Sequence, residues 1–206
     1  FHLMAGNVAT GESFIRLAEW GADSIRVGIG GGSIYSTRIN TGFGVPNFSA
    51  IMDCASAWDN YKTNLKRPSL IIDGGIKTAG DIVKALAAGA DFVMCGSLLA
   101  GTDEAPGDII TLNDGRRLKE YRGMASRESQ TLFKGSSSSP EGISVEIPYK
   151  GSINPILSDL VGNIKSGLSY AGSRDISELR NNAVFLKQTV AGQKESFTHI
   201  LQHVTG

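Results

Sequence analysis

The sequence predicts an α/β fold, specifically the C-terminal half of a (β/α)8 TIM barrel. Three observations lead there. Short apolar runs alternate with longer amphipathic stretches. The apolar runs are nearly continuous, as in parallel strands covered on both faces. Glycine clusters follow the apolar runs, at Gly28, Gly30, Gly31 and Gly32, then Gly74 and Gly75, then Gly96. There are 26 glycines in 206 residues, well above the usual ~7%.

The elements follow in order. Residues 1–9 read as a strand. Residues 12–20 read as a helix, with Phe14, Ile15 and Leu17 apolar and Gly21 as its stop. Residues 23–29 form the next strand, and a long loop runs from Gly30 to Asn47. Residues 48–62 are helical. A short apolar strand, 69–72, is closed by Asp73-Gly74-Gly75. A helix over 78–88 stops at Gly89, and a strand over 91–95 is closed by Gly96-Ser97. Beyond Gly101 the rhythm changes. Residues 116–120 lead into Tyr121-Arg122-Gly123-Met124, and Ser136 to Ser139 read as a flexible loop. A short strand is expected over 145–149, at a sheet edge because of Pro148. Helices are expected over 154–167 and 175–180, and the tail from Lys194 is amphipathic.

Four βα units make half of a barrel that typically needs about 250 residues. A half barrel alone leaves two sheet edges open. The first four units are therefore expected outside this chain, and residues 1–206 form one domain with a flexible flap-like loop over 127–145. The alternative architecture is a small doubly wound sheet.

Composition excludes several classes. With 20 basic and 20 acidic residues the formal net charge is +0, which suggests neither a nucleic-acid nor a membrane partner. No apolar run approaches the roughly 18 residues of a membrane helix, and residues 1–4 do not read as a signal peptide. Cys54 and Cys95 make no disulfide framework, so a reducing cytoplasm is expected. Any anionic ligand must be held by local features. Glycine lets backbone amides approach such a ligand without a Cβ in the way. Glycine clusters at successive strand ends therefore point to a phosphate-handling enzyme; the alternative is tight turns alone.

Six motifs carry a resemblance. They are Gly6-Asn7, Arg26-Val27-Gly28-Ile29-Gly30, Gly32-Ser33-Ile34, Asp73-Gly74-Gly75, Gly96-Ser97 and Tyr121-Arg122-Gly123-Met124. In order and approximate spacing the chain, from Gly6 to about Gln188, resembles the IMP dehydrogenase/GMP reductase family. The resemblance implies a purine nucleoside monophosphate as ligand. Amides of Gly75, Gly96 and Ser97, with the hydroxyls of Ser97, Ser33 and Tyr121, would hold its phosphate, and Gly74 is expected among the substrate-binding residues. Asp73 would accept from the ribose hydroxyls. Gly123, Met124 and Ala125 would lie against the base.

Further features resemble GMP reductase more than IMP dehydrogenase. Glu146 lies in a Val145–Gly151 segment that resembles the reductase version; a carboxylate there can accept from guanine N1–H and the 2-amino group and move a proton as ammonia leaves. The dehydrogenase's mobile flap carries an Arg-Tyr pair, and between Met124 and Glu146 this chain has no tyrosine. Arg38 to Gly42 also resembles the reductase loop. The nicotinamide cofactor, NADPH, would contact Asn7, Arg26, Gly28 and Gly30, although Arg26 can equally be a strand-end salt-bridge residue. These glycines are not a Rossmann fingerprint, since no Gly-x-Gly-x-x-Gly opens a helix. Carbonyls of Gly30, Gly32 and Tyr35 would ligate a monovalent cation such as K+. Family members are usually homo-tetramers.

One position departs from the family. In Gly32-Ser33-Ile34-Tyr35-Ser36-Thr37 the family places its nucleophilic cysteine where this chain has Tyr35. A phenol, with a pKa of about 10, is a far poorer nucleophile near neutral pH. Thr37, the family's partner for the leaving or attacking group, is present. Three readings follow: a GMP reductase-like oxidoreductase converting GMP to IMP, a catalytically inactive purine-nucleotide-binding or regulatory protein, and an IMP dehydrogenase. Cys95 is the one cysteine near enough to substitute for the nucleophile, but it reads as core packing, as does Cys54.

Overall fold

The computed structural model describes residues 1–123, 126–136 and 142–197. Four strands form one parallel sheet: β1 (Met4–Val8), β2 (Ser24–Val27), β3 (Ser69–Asp73) and β4 (Phe92–Met94). They lie in sequence order, β1-β2-β3-β4. This order rules out the doubly wound alternative. Right-handed crossovers that always step the same way place every helix on one face, which is the winding of a barrel wall.

Alternation along the strands assigns the two faces. Ile25, Val27, Leu70 and Ile72 enter a core with Phe14, Ile51, Cys54, Ile82 and Leu86 from the helices. Arg26, Ile71 and Phe92, matched across the register, project from the other face.

The helical layer comprises α1 (Gly11–Glu19), α3 (Asn47–Asn60) and α4 (Ala79–Ala87). The Thr10 hydroxyl caps α1 by accepting from the Ser13 amide at 3.3 Å. Helix α4 opens with a reciprocal box: Thr78 accepts from the Asp81 amide, and the Asp81 carboxylate accepts from the Thr78 amide. The loop expected over 30–47 contains one short helix, α2 (Thr37–Thr41).

The second half of the chain builds a small antiparallel sheet, β5 (Ile109–Thr111), β6 (Arg117–Arg122) and β7 (Ser144–Pro148), in the order β5-β6-β7. As Pro148 requires, β7 is an edge. Lys119 is buried in the central strand and donates to the carbonyls of Thr102 and Ala105. The flap-like stretch 127–145 is not wholly loop. It opens with α5 (Arg127–Lys134), capped by Ser126, and β7 begins at Ser144. Part of the serine-rich run lies outside the described residues.

Among the described residues three helices follow: α6 (Ile153–Tyr170), α7 (Ile176–Asn182) and α8 (Val190–Glu195). Helix α6 runs through Gly167, which the sequence suggests as a terminus. The reason is packing: a Cβ at Gly167 would lie 2.8 Å from a Val83 methyl, so glycine lets α6 close onto α4. Among the described residues no helix is long and apolar enough to cross a membrane.

Candidate functional site

The site is built at the C-terminal tips of the four parallel strands. Strand β3 ends at Asp73, and the chain turns through Gly74 and Gly75 with φ of 98° and 76°. A Cβ on Gly74 would lie 2.8 Å from the Gly31 carbonyl carbon and the Gly32 nitrogen. A Cβ on Gly28 would lie 2.3 Å from the Asp73 carbonyl oxygen. Glycine at these two positions allows the β2 and β3 tips to touch.

Asp73 is the electrostatic centre. Its Oδ2 accepts from Arg26 at 2.6 Å and from the Asn7 side-chain amide at 2.9 Å. Asn7 also donates to the Gly28 carbonyl at 2.9 Å. The residues expected to touch a cofactor therefore first hold this carboxylate, and Arg26 is the strand-end salt-bridge partner that the sequence left open. Oδ1 of Asp73 has no partner among the described residues, so one carboxylate oxygen remains to accept from a ligand hydroxyl. Asn47, at the start of α3, braces the turn by donating to the carbonyls of Asp73 and Gly74 at 3.2 and 2.6 Å.

Two clefts open on these tips. One, of about 220 Å3, is bordered by Ser33, Gly75, Gly96, Ser97, Tyr121 and Gly123, among others. The other, of about 280 Å3, is bordered by Asn7, Gly28, Gly30, Gly31 and Thr37. They share Arg26, Gly32, Tyr35, Asp73 and Gly74. Tyr35 thus stands where the clefts meet. Its ring lies against Gly32, where a Cβ would sit 2.3 Å from Cδ2, and against Gly123, where a Cβ would sit 3.1 Å from Cζ. Tyr121 reaches Gly96: a Cβ there would be 2.6 Å from its hydroxyl oxygen.

Most of the residues singled out in the sequence meet here. Glu146 is the exception. On β7 it is exposed, pairs in register with Glu120, and borders neither cleft. Alternation turns Val145 and Ile147 to the more covered side and leaves Glu146 on the other. Met124 and Ala125 lie outside the described residues. Neither cysteine supplies a substitute nucleophile. Burial, with a smaller push from Asp53, raises the Cys54 thiol to about 12, and burial also raises Cys95.

The sequence reading missed three contributors. Asn47 carried no signal beyond a helix start. Lys150 donates to the carbonyls of Ser97 and Leu98 at 2.9 and 3.1 Å, fixing the β4 tip from behind, and desolvation lowers its pKa. Gly142 bridges to Tyr35 and to Ser126, and the Ile143 amide donates to the Ile34 carbonyl at 2.9 Å. The segment before β7 is therefore stitched onto the Tyr35 loop.

Among the described residues the expected cation site, at the carbonyls of Gly30, Gly32 and Tyr35, is incomplete. The Gly32 carbonyl already accepts, weakly, from the Tyr35 amide at 3.5 Å. Three carbonyls alone fall short of the six or so oxygens a hard cation takes.

The fold and the clefts define a class: an α/β barrel protein with two adjoining clefts at its parallel strand tips. A sequence profile described as "IMP dehydrogenase / GMP reductase domain" matches residues 1–199. The chain is 48% identical over 210 residues to an inosine-5'-monophosphate dehydrogenase of Chlorobaculum tepidum, covering 96% of this chain and 41% of that protein. It is 44% identical over 209 residues to a GMP reductase of Leishmania donovani, with 96% and 41% covered. In fold it is similar to a crystallised cysteine-to-alanine variant of GMP reductase from Trypanosoma brucei in complex with guanosine 5'-monophosphate. That match has a TM-score of 0.88 and 40% identity, over 96% of this chain and 41% of that one. The chain belongs to the IMP dehydrogenase/GMP reductase family, whose members are oxidoreductases that use nicotinamide dinucleotides. It spans about two fifths of the length of the curated relatives it matches.

Proposed function

We propose that the clefts hold a purine nucleoside 5′-monophosphate within a GMP reductase-like oxidoreductase, converting GMP to IMP with NADPH. One observation carries this reading. Ser33, Gly75, Gly96, Ser97 and the Tyr121 side chain border a single cleft beside the Asp73 carboxylate. Bared amides and hydroxyls suit a phosphate, and the remaining Asp73 oxygen suits a ribose hydroxyl. The glycine-lined neighbour, with Gly28, Gly30 and Gly31, lets a second planar group approach the backbone closely. NADPH, when bound, supplies the hydride. The chain's own part is to orient the nucleotide and to offer the Thr37 hydroxyl on the cofactor side.

The choice of reductase rests on the Arg38–Gly42 loop and the flap without tyrosine; IMP dehydrogenases and GMP reductases match the chain at similar identity. Tyr35 favours a second reading, binding without turnover. A neutral phenol cannot replace a thiolate as nucleophile at purine C2, and its ring stands between the two clefts.

The test uses the full-length protein with GMP and NADPH, followed by loss of nicotinamide absorbance. The parent is expected to bind GMP with little or no turnover, and Tyr35→Cys to gain turnover. Sustained oxidation by the parent would establish a reductase that needs no cysteine. Formation of xanthosine monophosphate from IMP and NAD+ would overturn the reductase assignment.

A further inference from the structure

Tyr35 borders both clefts at the strand tips, in a role that reductase chemistry does not use. The ring is anchored on two sides, by Gly32 and by Gly123, where added Cβ atoms would lie 2.3 and 3.1 Å from it. Its backbone is held as well, through the bridge to Gly142, of which the Ile143–Ile34 hydrogen bond of 2.9 Å is part. Yet Tyr35 remains 41% exposed. It borders the same 220 Å3 cleft as Ser33, Gly75 and Ser97.

An immobilised aromatic ring beside a phosphate-sized cluster of bared amides has the makings of a base platform. Offset stacking uses the π face that every purine presents, and it needs neither deprotonation nor a bond to the base. Part of the entropy of fixing the ring is already spent in the unliganded fold, because Gly32 and Gly123 crowd the ring and the bridge to Gly142 holds its backbone.

We propose that Tyr35 is a binding residue that holds the purine of a nucleoside monophosphate by stacking on the phenol ring. The inference rests on the purine-monophosphate reading above and extends it. Stacking reads the face of the base rather than its edge. The site therefore accepts GMP and IMP alike, whereas a covalent site chooses by reactivity at C2.

The test is calorimetric titration of the full-length protein with GMP, IMP and ribose 5-phosphate, for the parent, Tyr35→Phe and Tyr35→Leu. The phenylalanine variant is expected to keep both nucleotide affinities within about twofold, and the leucine variant to lose about tenfold on each, with ribose 5-phosphate unchanged in both. Leucine binding GMP and IMP as tightly as the parent overturns the platform. So does an equal loss for ribose 5-phosphate, since the ring would then be serving the phosphate end or the fold. A parent that binds neither nucleotide sinks the purine-monophosphate reading itself, together with the platform that rests on it.

Discussion

Tyr121 and Gly96 show how finely a single residue bounds the site. The Tyr121 hydroxyl occupies the space that a Cβ at position 96 would need, at 2.6 Å. In Gly96→Ala the hydroxyl must swing away, and it is the far end of a flexible side chain, so the fold loses little. A ligand phosphate loses one charge-assisted hydrogen bond, worth about 1.5–3 kcal/mol. Gly96→Ala is expected to leave the melting temperature nearly unchanged while weakening GMP binding at least about tenfold. Unchanged affinity would remove Tyr121 from the phosphate site. The glycines at 74, 75 and 96 are legible as a site because each follows an apolar run, and that pattern survives without an alignment. Asn47, Lys150 and Gly142 are not legible, because they act through backbone carbonyls and bridges that any chain segment of suitable shape can supply. The placement of Glu146 is not legible for a related reason: a local motif says what precedes and follows a residue, but not which face of an edge strand it occupies.

At the scale of elements, Asp91 joins three pieces of structure just before β4. Its Oδ2 accepts from Arg67 at 2.6 Å and from the Leu70 amide at 2.8 Å, and its Oδ1 accepts from Arg180 of α7 at 2.9 Å. Desolvation by burial, the largest single influence, pushes this carboxyl up. The Leu70 amide and the two guanidinium groups together outweigh it, and the net shift is downward. A carboxylate whose folded pKa is depressed stabilises the fold above its unfolded value, about 3.9, and loses that contribution as pH falls through the folded value. Asp91→Asn is therefore expected to cost about 2 kcal/mol at neutral pH. In denaturant melts the gap between parent and variant should close as pH drops below about 4; a gap that stayed constant would mean that the network is held by shape rather than charge. Element types were readable along most of this region because periodicity and caps agree. The end of α6 was not, since Gly167 serves a helix–helix contact that no local pattern reveals.

The whole molecule presents a parallel sheet with two unpaired edges, β1 and β4. On the face away from the helices, Met4 and Phe92 are exposed, Phe92 by 59%. Open strand edges with apolar neighbours invite association. Produced as these 206 residues alone, the chain is expected to elute in size-exclusion chromatography well above its 21.8 kDa mass, and Phe92→Lys to shift it towards that mass. Monomeric elution of the parent would show that the edges are self-sufficient. The half-barrel character was visible in the count of βα units. The antiparallel sheet of β5, β6 and β7 was mostly not, because β5 is three exposed residues whose partners lie across a turn.

The stitch between Ile143 and Ile34 ties these scales together. It spans the barrel tip and the excursion that carries β7, two bodies of different architecture. Displacing the Tyr35 loop must break or drag that amide. The small sheet thus leans on the proposed nucleotide seat through this peptide group and through Lys150 on the Ser97 and Leu98 carbonyls, so disturbance at either end reaches the other.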